Sequence, residues 1–529
     1  MLNEPRPEAG NHDPQAEVVA FLSDPDAHGG IRPETMETHV SRIFLAGERA
    51  YKLKRAVKFP YLDFSTLEAR RAACEEEVRI NRRTAPEIYI GVVRVRRDIE
   101  EGFYIDEAGD GTGEVVEWLV AMNRFDQAGL FDRLAQAGEL KRRRMEALAD
   151  SIAAFHAAAE LSQARGGAAG TRLIIENNAA SFDLAPEGVF EPSDVAALNR
   201  LSLERVEALR PGLDTRRAEG AVRLCHGDLH LRNICLVDEE PRLFDAIEFN
   251  RDFSEIDVLY DLAFLLMDLD YRGLGRLASI VFNRYFDITG ELLNRSQALA
   301  VLPLFLAMRA AVRAQVDALQ SGLLSDPEKR RHRAEEARRY LEMALAYLDR
   351  PTPCLIAVGG LSGSGKSRMS RELAPFAGAA PGARVVRTDV VRKRLCGVAP
   401  EVRLPDDAYS HEMHDKTYEA FYEEIRAGIA QGHTVIADGV FASSRQRATV
   451  RDAAAEMGVP FCGIWMTASP EIMERRVVER QHNASDATLE VLRQQFTYDL
   501  GDIDWAVIDS SGEKEETLAA GWRLLAEIR

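Results

Sequence analysis

The chain has 529 residues, 46% of them hydrophobic and 29% charged, which is too long for one hydrophobic core and calls for two or three globular domains. The net charge is -18, and both sides of residue 350 are acidic, so a general nucleic-acid-binding surface is excluded as the organising feature. The six cysteines are scattered with no C-x-x-C pair, which excludes a disulfide framework and a structural zinc and leaves each as a small buried hydrophobe.

In chain order, residues 1–38 are rich in Pro, Gly, Asn and Asp and read as an irregular lead-in with one short helix around 14–22. They hold no apolar stretch with a cleavage site, so export is not expected and a cytoplasmic location is. Alternation of apolar and polar residues around Gly47 predicts a β-hairpin whose second strand is "RAYKLK", 49–54. A charged helix follows over 65–86, closed by Pro86, and strands around 90–97 and 114–125 complete a small sheet. From about 130 to 220 the pattern is helical, with Met145, Leu148, Ile152 and Phe155 at helix spacing. Helices resume at 257 and run to 350. The longest apolar run, 298–308, contains Pro303 and falls short of the roughly 18 residues of a membrane span. Pro351 and Pro353 end the helical part. Beyond them, apolar strands at 354–360, 383–389, 434–441 and 461–469 alternate with helical stretches, the pattern of a parallel α/β sheet.

The expected organisation is therefore an α+β bilobal domain over 39–350, with a small lobe at about 39–127 and a helical lobe at about 128–350. An α/β domain with a mostly parallel sheet follows over 351–529.

Two stretches carry chemistry. "HGDLHLRN", 226–233, has the Asp-x-x-x-x-Asn spacing of a kinase catalytic loop, which places Asp228 as the base and Asn233 as a metal ligand. Asp245, after an apolar ribbon, is placed like a second magnesium ligand, and hard oxygens are what magnesium prefers. Phosphoryl transfer needs little more than such a base, such ligands and a cation on the phosphates. The bland alternative is that Asp228 and Asn233 only cap a loop. His226 and His156 read as packing residues, and Asp257 and Asp261 as caps.

Over roughly residues 40–350 these motifs resemble the aminoglycoside phosphotransferase and choline kinase family, which has His-Gly-Asp where protein kinases have His-Arg-Asp. The resemblance implies that Lys52 holds the nucleotide's α- and β-phosphates and that Glu77 pairs with it. Lys54 shares Lys52's face of the strand, and Glu75 or Glu76 could stand in for Glu77. The sequence departs from the pattern of protein kinases in lacking G-x-G-x-x-G and in reading Asp-Ala-Ile at the metal motif.

The second stretch, "GLSGSGKS", Gly360 to Ser367, fits G-x-x-x-x-G-K-[ST] between an apolar strand and a helix. Gly360, Gly363, Ser364 and Gly365 let backbone N–H groups approach phosphate, Lys366 reaches the β- and γ-phosphates, and Ser367 ligates magnesium. Asp389 ends the next strand, with Arg392 three residues on as a substrate contact at the sheet's carboxyl edge. Arg476 and Arg480, on one helical face beside Arg475, form a candidate lid over the γ-phosphate; a solvated charged helix is the plainer reading.

Over about 353–529 this half resembles the small P-loop kinases related to gluconate kinase, chloramphenicol phosphotransferase and zeta toxin. That implies Asp389 as the base or substrate-hydroxyl ligand and Asp438 as a second carboxylate near the metal, unless Asp438 caps the following turn. The order of the halves resembles a bacterial family of fused proteins. The expected function is an ATP (or GTP) and Mg2+-dependent phosphotransferase acting on small hydroxylated molecules at two tandem sites, with neither nucleic acid nor membrane as a partner. The rivals are a regulatory nucleotide-binding protein with one inactive domain, and a polynucleotide 5'-kinase in the C-terminal half.

Overall fold

The structure is a computed structural model, and it describes residues 13–528 except 39, 60, 61, 101 and 480–483. The chain folds into two compact units, one comprising residues up to 140 with 224–255, the other 141–223 with 256–529.

The first unit is built on a six-stranded antiparallel sheet. Helix α1 (Ala16–Ser23) precedes β1 (Glu34–Glu37), β2 (Ser41–Ala46), β3 (Arg49–Lys54), helix α2 (Leu67–Asn81), β4 (Tyr89–Asp98), β5 (Gly102–Asp106) and β6 (Glu114–Asn123), in the sheet order β1-β2-β3-β6-β4-β5. Gly47 turns β2 into β3 with φ +58°, a left-handed conformation that costs glycine little. The period of two sorts β3 by face. Tyr51 and Leu53 join a core with Phe44, Val93, Val95, Leu119 and the α1 residues Val18 and Leu22. Lys52 and Lys54 fall on the other face, where α2 lies over the sheet. Thr66 starts α2 by accepting the Ala69 N–H, which satisfies one of the open donors of the first turn. The same unit holds a short hairpin of β7 (Ile234–Val237) and β8 (Glu240–Leu243).

The second unit begins with helices α3 (Arg142–Ala158), α4 (Gly167–Phe182), α5 (Pro192–Ala218), α6 (Val258–Tyr271), α7 (Gly275–Thr289), α8 (Ala298–Leu323) and α9 (Pro327–Leu348). Met145, Leu148 and Ile152 are fully buried and Phe155 nearly so, as their spacing requires. Helix α8 carries the apolar run 298–308 onward to Leu323; it is long and apolar enough to cross a membrane by length and composition, and most of it is buried within the unit. Arg216 of α5 is fully buried between Asp257 and Glu291, at 2.8 Å from each. Asp257 also caps α6 through the Leu259 N–H. Asp261 differs from expectation. It sits buried in the first turn of α6 and faces the His156 Nε2 at 3.2 Å, so it is a core partner of that histidine rather than a cap.

The unit continues as a five-stranded parallel sheet of β9 (Leu355–Gly359), β10 (Arg384–Arg387), β11 (Val435–Asp438), β12 (Phe461–Thr467) and β13 (Ala506–Asp509), ordered β10-β11-β9-β12-β13. Every residue of the central β9 is buried, because apolar clusters cover both faces of the sheet. The helices that matter for the site are α10 (Lys366–Leu373), α11 (Thr388–Leu395), α12 (His411–Ala430), α13 (Ser444–Glu456) and α14 (Pro470–Val478).

Strand β10 is the sheet's edge, and Asn283 of α7 occupies it. The Asn283 amide accepts the Val385 N–H (2.7 Å) and donates to the Ala383 carbonyl (3.2 Å), while Arg384 pairs with Asp287 at 2.6 Å. A side-chain amide thus supplies the hydrogen bonds of a missing neighbour strand.

Candidate functional site

In the first unit, Lys52 Nζ donates to Glu77 Oε1 (2.8 Å) and to Asp245 Oδ1 (2.6 Å). Lys54 pairs with the other oxygen of Glu77 and with Glu248. Glu77 is fully buried. Burial alone would raise its carboxyl, but Lys52 and Lys54 together bring it down to about 2. Burial likewise opposes the charge on Lys52, and Asp245 and Glu77 outweigh it, so the ammonium is held well above its ordinary range. Among the three consecutive glutamates it is Glu77 that faces the lysines; Glu75 pairs with Arg71, and Glu76 with Arg79 and Arg251.

The catalytic-loop candidates are organised by backbone. Asn233 Nδ2 donates to Asp228 Oδ2 (2.9 Å) and to the Asp228 carbonyl (3.0 Å). Asp228 is also approached by His230 Nε2 at 3.3 Å. His226 accepts the Asp228 N–H at Nδ1 (3.3 Å), so its Nε2 donates to the Phe244 carbonyl (2.9 Å). Phe244 N–H in turn donates to the Asn233 carbonyl at 3.0 Å. The loop that carries Asp228 and Asn233 is thereby tied to the residue preceding Asp245. Asp245 has a left-handed backbone, φ +61°, a conformation costly for a residue with a Cβ. The flanking structure holds it there: its N–H donates to the Tyr89 hydroxyl (3.1 Å), and the Ala246 N–H donates to Asn81 Oδ1 (2.8 Å).

These groups suit a magnesium ion chemically. The Asn233 amide nitrogen is committed to Asp228, which turns its Oδ1 to other use, and the Asp245 carboxylate is half exposed. Both are hard oxygen donors.

In the second unit, the loop from Gly360 to Gly365 joins β9 to α10. Gly360, Gly363 and Gly365 have φ of +139°, +84° and +90°. A Cβ on Gly360 would lie 2.4 Å from the Met466 carbonyl oxygen, and one on Gly363 2.6 Å from that of Met473, so both positions require glycine. Ser362 N–H donates to Gln495 Oε1 at 2.8 Å. A cavity of about 360 Å3 opens over Gly363, Gly365, Lys366 and Ser367. Ser364 is fully buried, and its hydroxyl makes no hydrogen bond among the described residues.

Arg476 of α14 lines this cavity but is already engaged. Its guanidinium donates to the Gly363 carbonyl (3.3 Å), to Ser510 Oγ (2.8 Å) and to the Ser510 carbonyl (2.7 Å). Ser510 Oγ donates to the Ser364 carbonyl at 2.8 Å. The expected mobile lid is here a brace on the loop. Arg480 lies outside the described residues.

A larger cavity, about 930 Å3, meets the first at Lys366, and Asp389, Arg392 and Asp438 all line it. Strand β10 stops at Arg387, so Asp389 sits in the first turn of α11 instead of ending the strand. Arg392 is buried, donates to the Ala408 carbonyl (3.0 Å) and lies 5.0 Å from the centre of the Tyr409 ring. Its guanidinium shapes the wall as well as facing the cavity. Asp438 ends β11 and is buried; its Oδ2 stands 3.4 Å from Arg387 Nε and accepts no hydrogen bond among the described residues. A buried carboxylate oxygen in that state, beside the Ser367 hydroxyl's cavity, is a donor of the kind magnesium takes.

Sequence reasoning missed Asp486. It accepts from Lys393 Nζ (3.0 Å), the Leu404 N–H (3.0 Å) and the Tyr409 hydroxyl (2.7 Å), and so fixes one wall of the larger cavity. Its partners are 77 to 93 residues away in sequence, and no local pattern marks it.

Comparison with known proteins finds two successive family matches along the chain. Residues 64–299 match the family described as "Phosphotransferase enzyme family", and residues 355–498 match one described as "AAA domain". Uncharacterised proteins of Mycobacterium tuberculosis and Mycobacterium bovis are each 30% identical over 505 residues, 93% of this chain and 95% of their own length. Among solved structures, a choline/ethanolamine kinase family protein from Mesorhizobium loti aligns with 63% of this chain and 99% of its own (13% identity, TM-score 0.36). A gluconokinase from Sinorhizobium meliloti aligns with 34% of this chain and 94% of its own (20% identity, TM-score 0.24).

Proposed function

Because this chain belongs to the family of fused proteins in which a phosphotransferase-family domain precedes a P-loop kinase-like domain, we propose that it is an ATP-dependent phosphotransferase with two separate sites, each transferring phosphate to a hydroxyl of a small molecule. The observation that carries the reading is that each site sets a lysine for phosphate beside side-chain oxygens that could hold a divalent metal. In the first site these are Lys52, fixed by Glu77, with Asn233 and Asp245. In the second they are Lys366 in the glycine loop, with Ser367 and Asp438.

At the first site Asp228 is the base. The Asn233 amide and His230 orient its carboxylate, so that it can accept a proton from the acceptor hydroxyl as the new P–O bond forms. Lys52 binds the nucleotide's phosphates, and Glu77 holds the ammonium in place. At the second site the loop's backbone N–H groups and Lys366 bind phosphate, Arg476 keeps the loop in shape, and Asp389 receives the acceptor's proton. Magnesium bound at either site would neutralise charge on the transferring phosphoryl group.

The acceptors are taken to be small molecules rather than nucleic acid. The 930 Å3 cavity is of ligand size, and its wall mixes Asp389, Asp486 and Asp499 with Arg392 and Arg403 instead of presenting a basic surface. The test is ATP consumption with magnesium by the full chain over a panel of sugars, amino alcohols, aminoglycosides and a 5'-hydroxyl oligonucleotide. Wild type is compared with Asp228→Ala and Lys366→Ala. Two acceptors, each lost with a different substitution, support tandem catalysis; turnover that ignores one substitution makes that half a binding module.

A further inference from the structure

A third, smaller cavity of about 70 Å3 lies where helices α3 and α7 meet α10, the end of β10 and residues 400–401. Its wall is rich in guanidinium groups: Arg142, Arg284, Arg371 and Arg387. Each carboxylate in the wall is already claimed. Glu146 is bound by Arg142 at 2.7 Å, Asp287 by Arg384 at 2.6 Å, and Glu401 by Arg284 at 2.5 Å. Arg387 faces Asp438 at 3.4 Å.

Arg371 is left over. It lies on α10 one helical turn past Ser367, and its guanidinium makes no hydrogen bond or ion pair among the described residues. Burial, and then the neighbouring Arg142 and Arg387, bring its guanidinium down to about 9 in spite of Asp438. A guanidinium so placed is short of a counter-ion, and a planar fork of N–H donors matches an oxyanion best.

We propose that this cavity is a binding site for a phosphate-type oxyanion, with Arg371 as its principal ligand, separate from the glycine-loop site. The space admits a free phosphate or the phosphoryl end of a small ester and is far below the size of a nucleotide pocket. Ser279 lies in the same wall, where the Asn283 amide is already engaged with β10. The position has a consequence for the neighbouring site. Arg371 also lines the 360 Å3 cavity over Lys366 and Ser367, so an oxyanion held on one side neutralises a charge that the nucleotide's phosphates would otherwise feel. The inference rests on charge and geometry and not on turnover at either site.

The experiment is calorimetric titration of the full chain with inorganic phosphate, and separately with glycerol phosphate, in a Lys366→Ala background that disables the glycine loop. Binding of either probe is expected to persist there, to weaken at least about tenfold on adding Arg371→Gln, and to be largely kept by Arg371→Lys. Which probe binds tells a free phosphate from an ester. Without ligand, Arg371→Gln is expected to leave the unfolding midpoint unchanged or raised, since it removes a part-buried charge that has no ion pair among the described residues. The proposal is overturned if Lys366→Ala alone abolishes binding of both probes, which would assign Arg371 to the nucleotide. It is equally overturned if binding survives Arg371→Gln, or if that substitution lowers the unfolding midpoint, which would make the arginine a structural one.

Discussion

Lys52 and Lys54 divide one carboxylate between them: Lys52 takes Oε1 of Glu77 at 2.8 Å, and Lys54 takes Oε2. Only Lys52 also reaches Asp245; Lys54 turns to the buried Glu248. Two lysines on one strand face therefore have different duties. Lys54→Ala leaves two buried carboxylates short of a cation and is expected to cost about 3–5 kcal/mol of stability by urea unfolding. Lys52→Ala is expected to show its main effect as lost nucleotide binding, measured by titration with ATP. Equal stability losses with unchanged binding in both would erase the distinction.

Asp228 is about one-third exposed, with Asn233 and His230 at its carboxylate. Asp228→Asn should therefore keep the unfolding midpoint while lowering first-site turnover by about 10²–10⁴-fold, the usual contribution of a positioned base. A drop below tenfold would leave the aspartate as a loop cap.

Arg476 braces the glycine loop through Gly363 and Ser510. If bracing is its work, Arg476→Gln should weaken ADP and ATP binding at the second site by similar factors, roughly tenfold, for two or three lost charge-assisted bonds. A loss confined to ATP would instead restore its role as a lid on the γ-phosphate.

Asp438 presents a buried oxygen that accepts no hydrogen bond among the described residues. Asp438→Asn should raise the magnesium concentration needed for half-maximal second-site turnover by at least about tenfold. An unchanged metal requirement would make Asp438 only a partner of Arg387.

His433 is fully buried, its Nε2 donates to the Gly382 carbonyl (3.0 Å), and burial brings its imidazole from its ordinary 6.5 down to about 4. The unfolded chain then binds the proton first as pH falls. Stability from this residue is whole above pH 6.5 and declines as pH drops toward 4, by about 3 kcal/mol over the window. Urea midpoints of wild type and His433→Gln should converge as the solution is acidified. Parallel curves would show that the imidazole does not carry the effect.

The sequence made the glycine loop readable because its signal is local: glycines, lysine and serine stand within eight residues between a strand and a helix. The Asp228–Asn233 spacing was local in the same way. The choice among Glu75, Glu76 and Glu77 was not, because it depends on how α2 is rotated over the sheet, a matter of packing by Cys74 and Val78. Asp389 was misplaced by two residues, since Thr388 and Asp389 suit a first helical turn as well as a strand end. Arg371 and Asp486 left no trace in the sequence, their significance arising from neighbours far along the chain.

The Asn283 amide, laid along the edge of β10, also sets where this protein can be divided. Cutting at the prolines of 351 and 353 would separate that amide from the strand it completes and take Asp287 away from Arg384, leaving it Glu424 at 3.9 Å. The liberated fragment would carry a raw, adhesive border open to pairing with its own copies. In folding, the later half leans on a residue encoded some seventy positions before its own first strand.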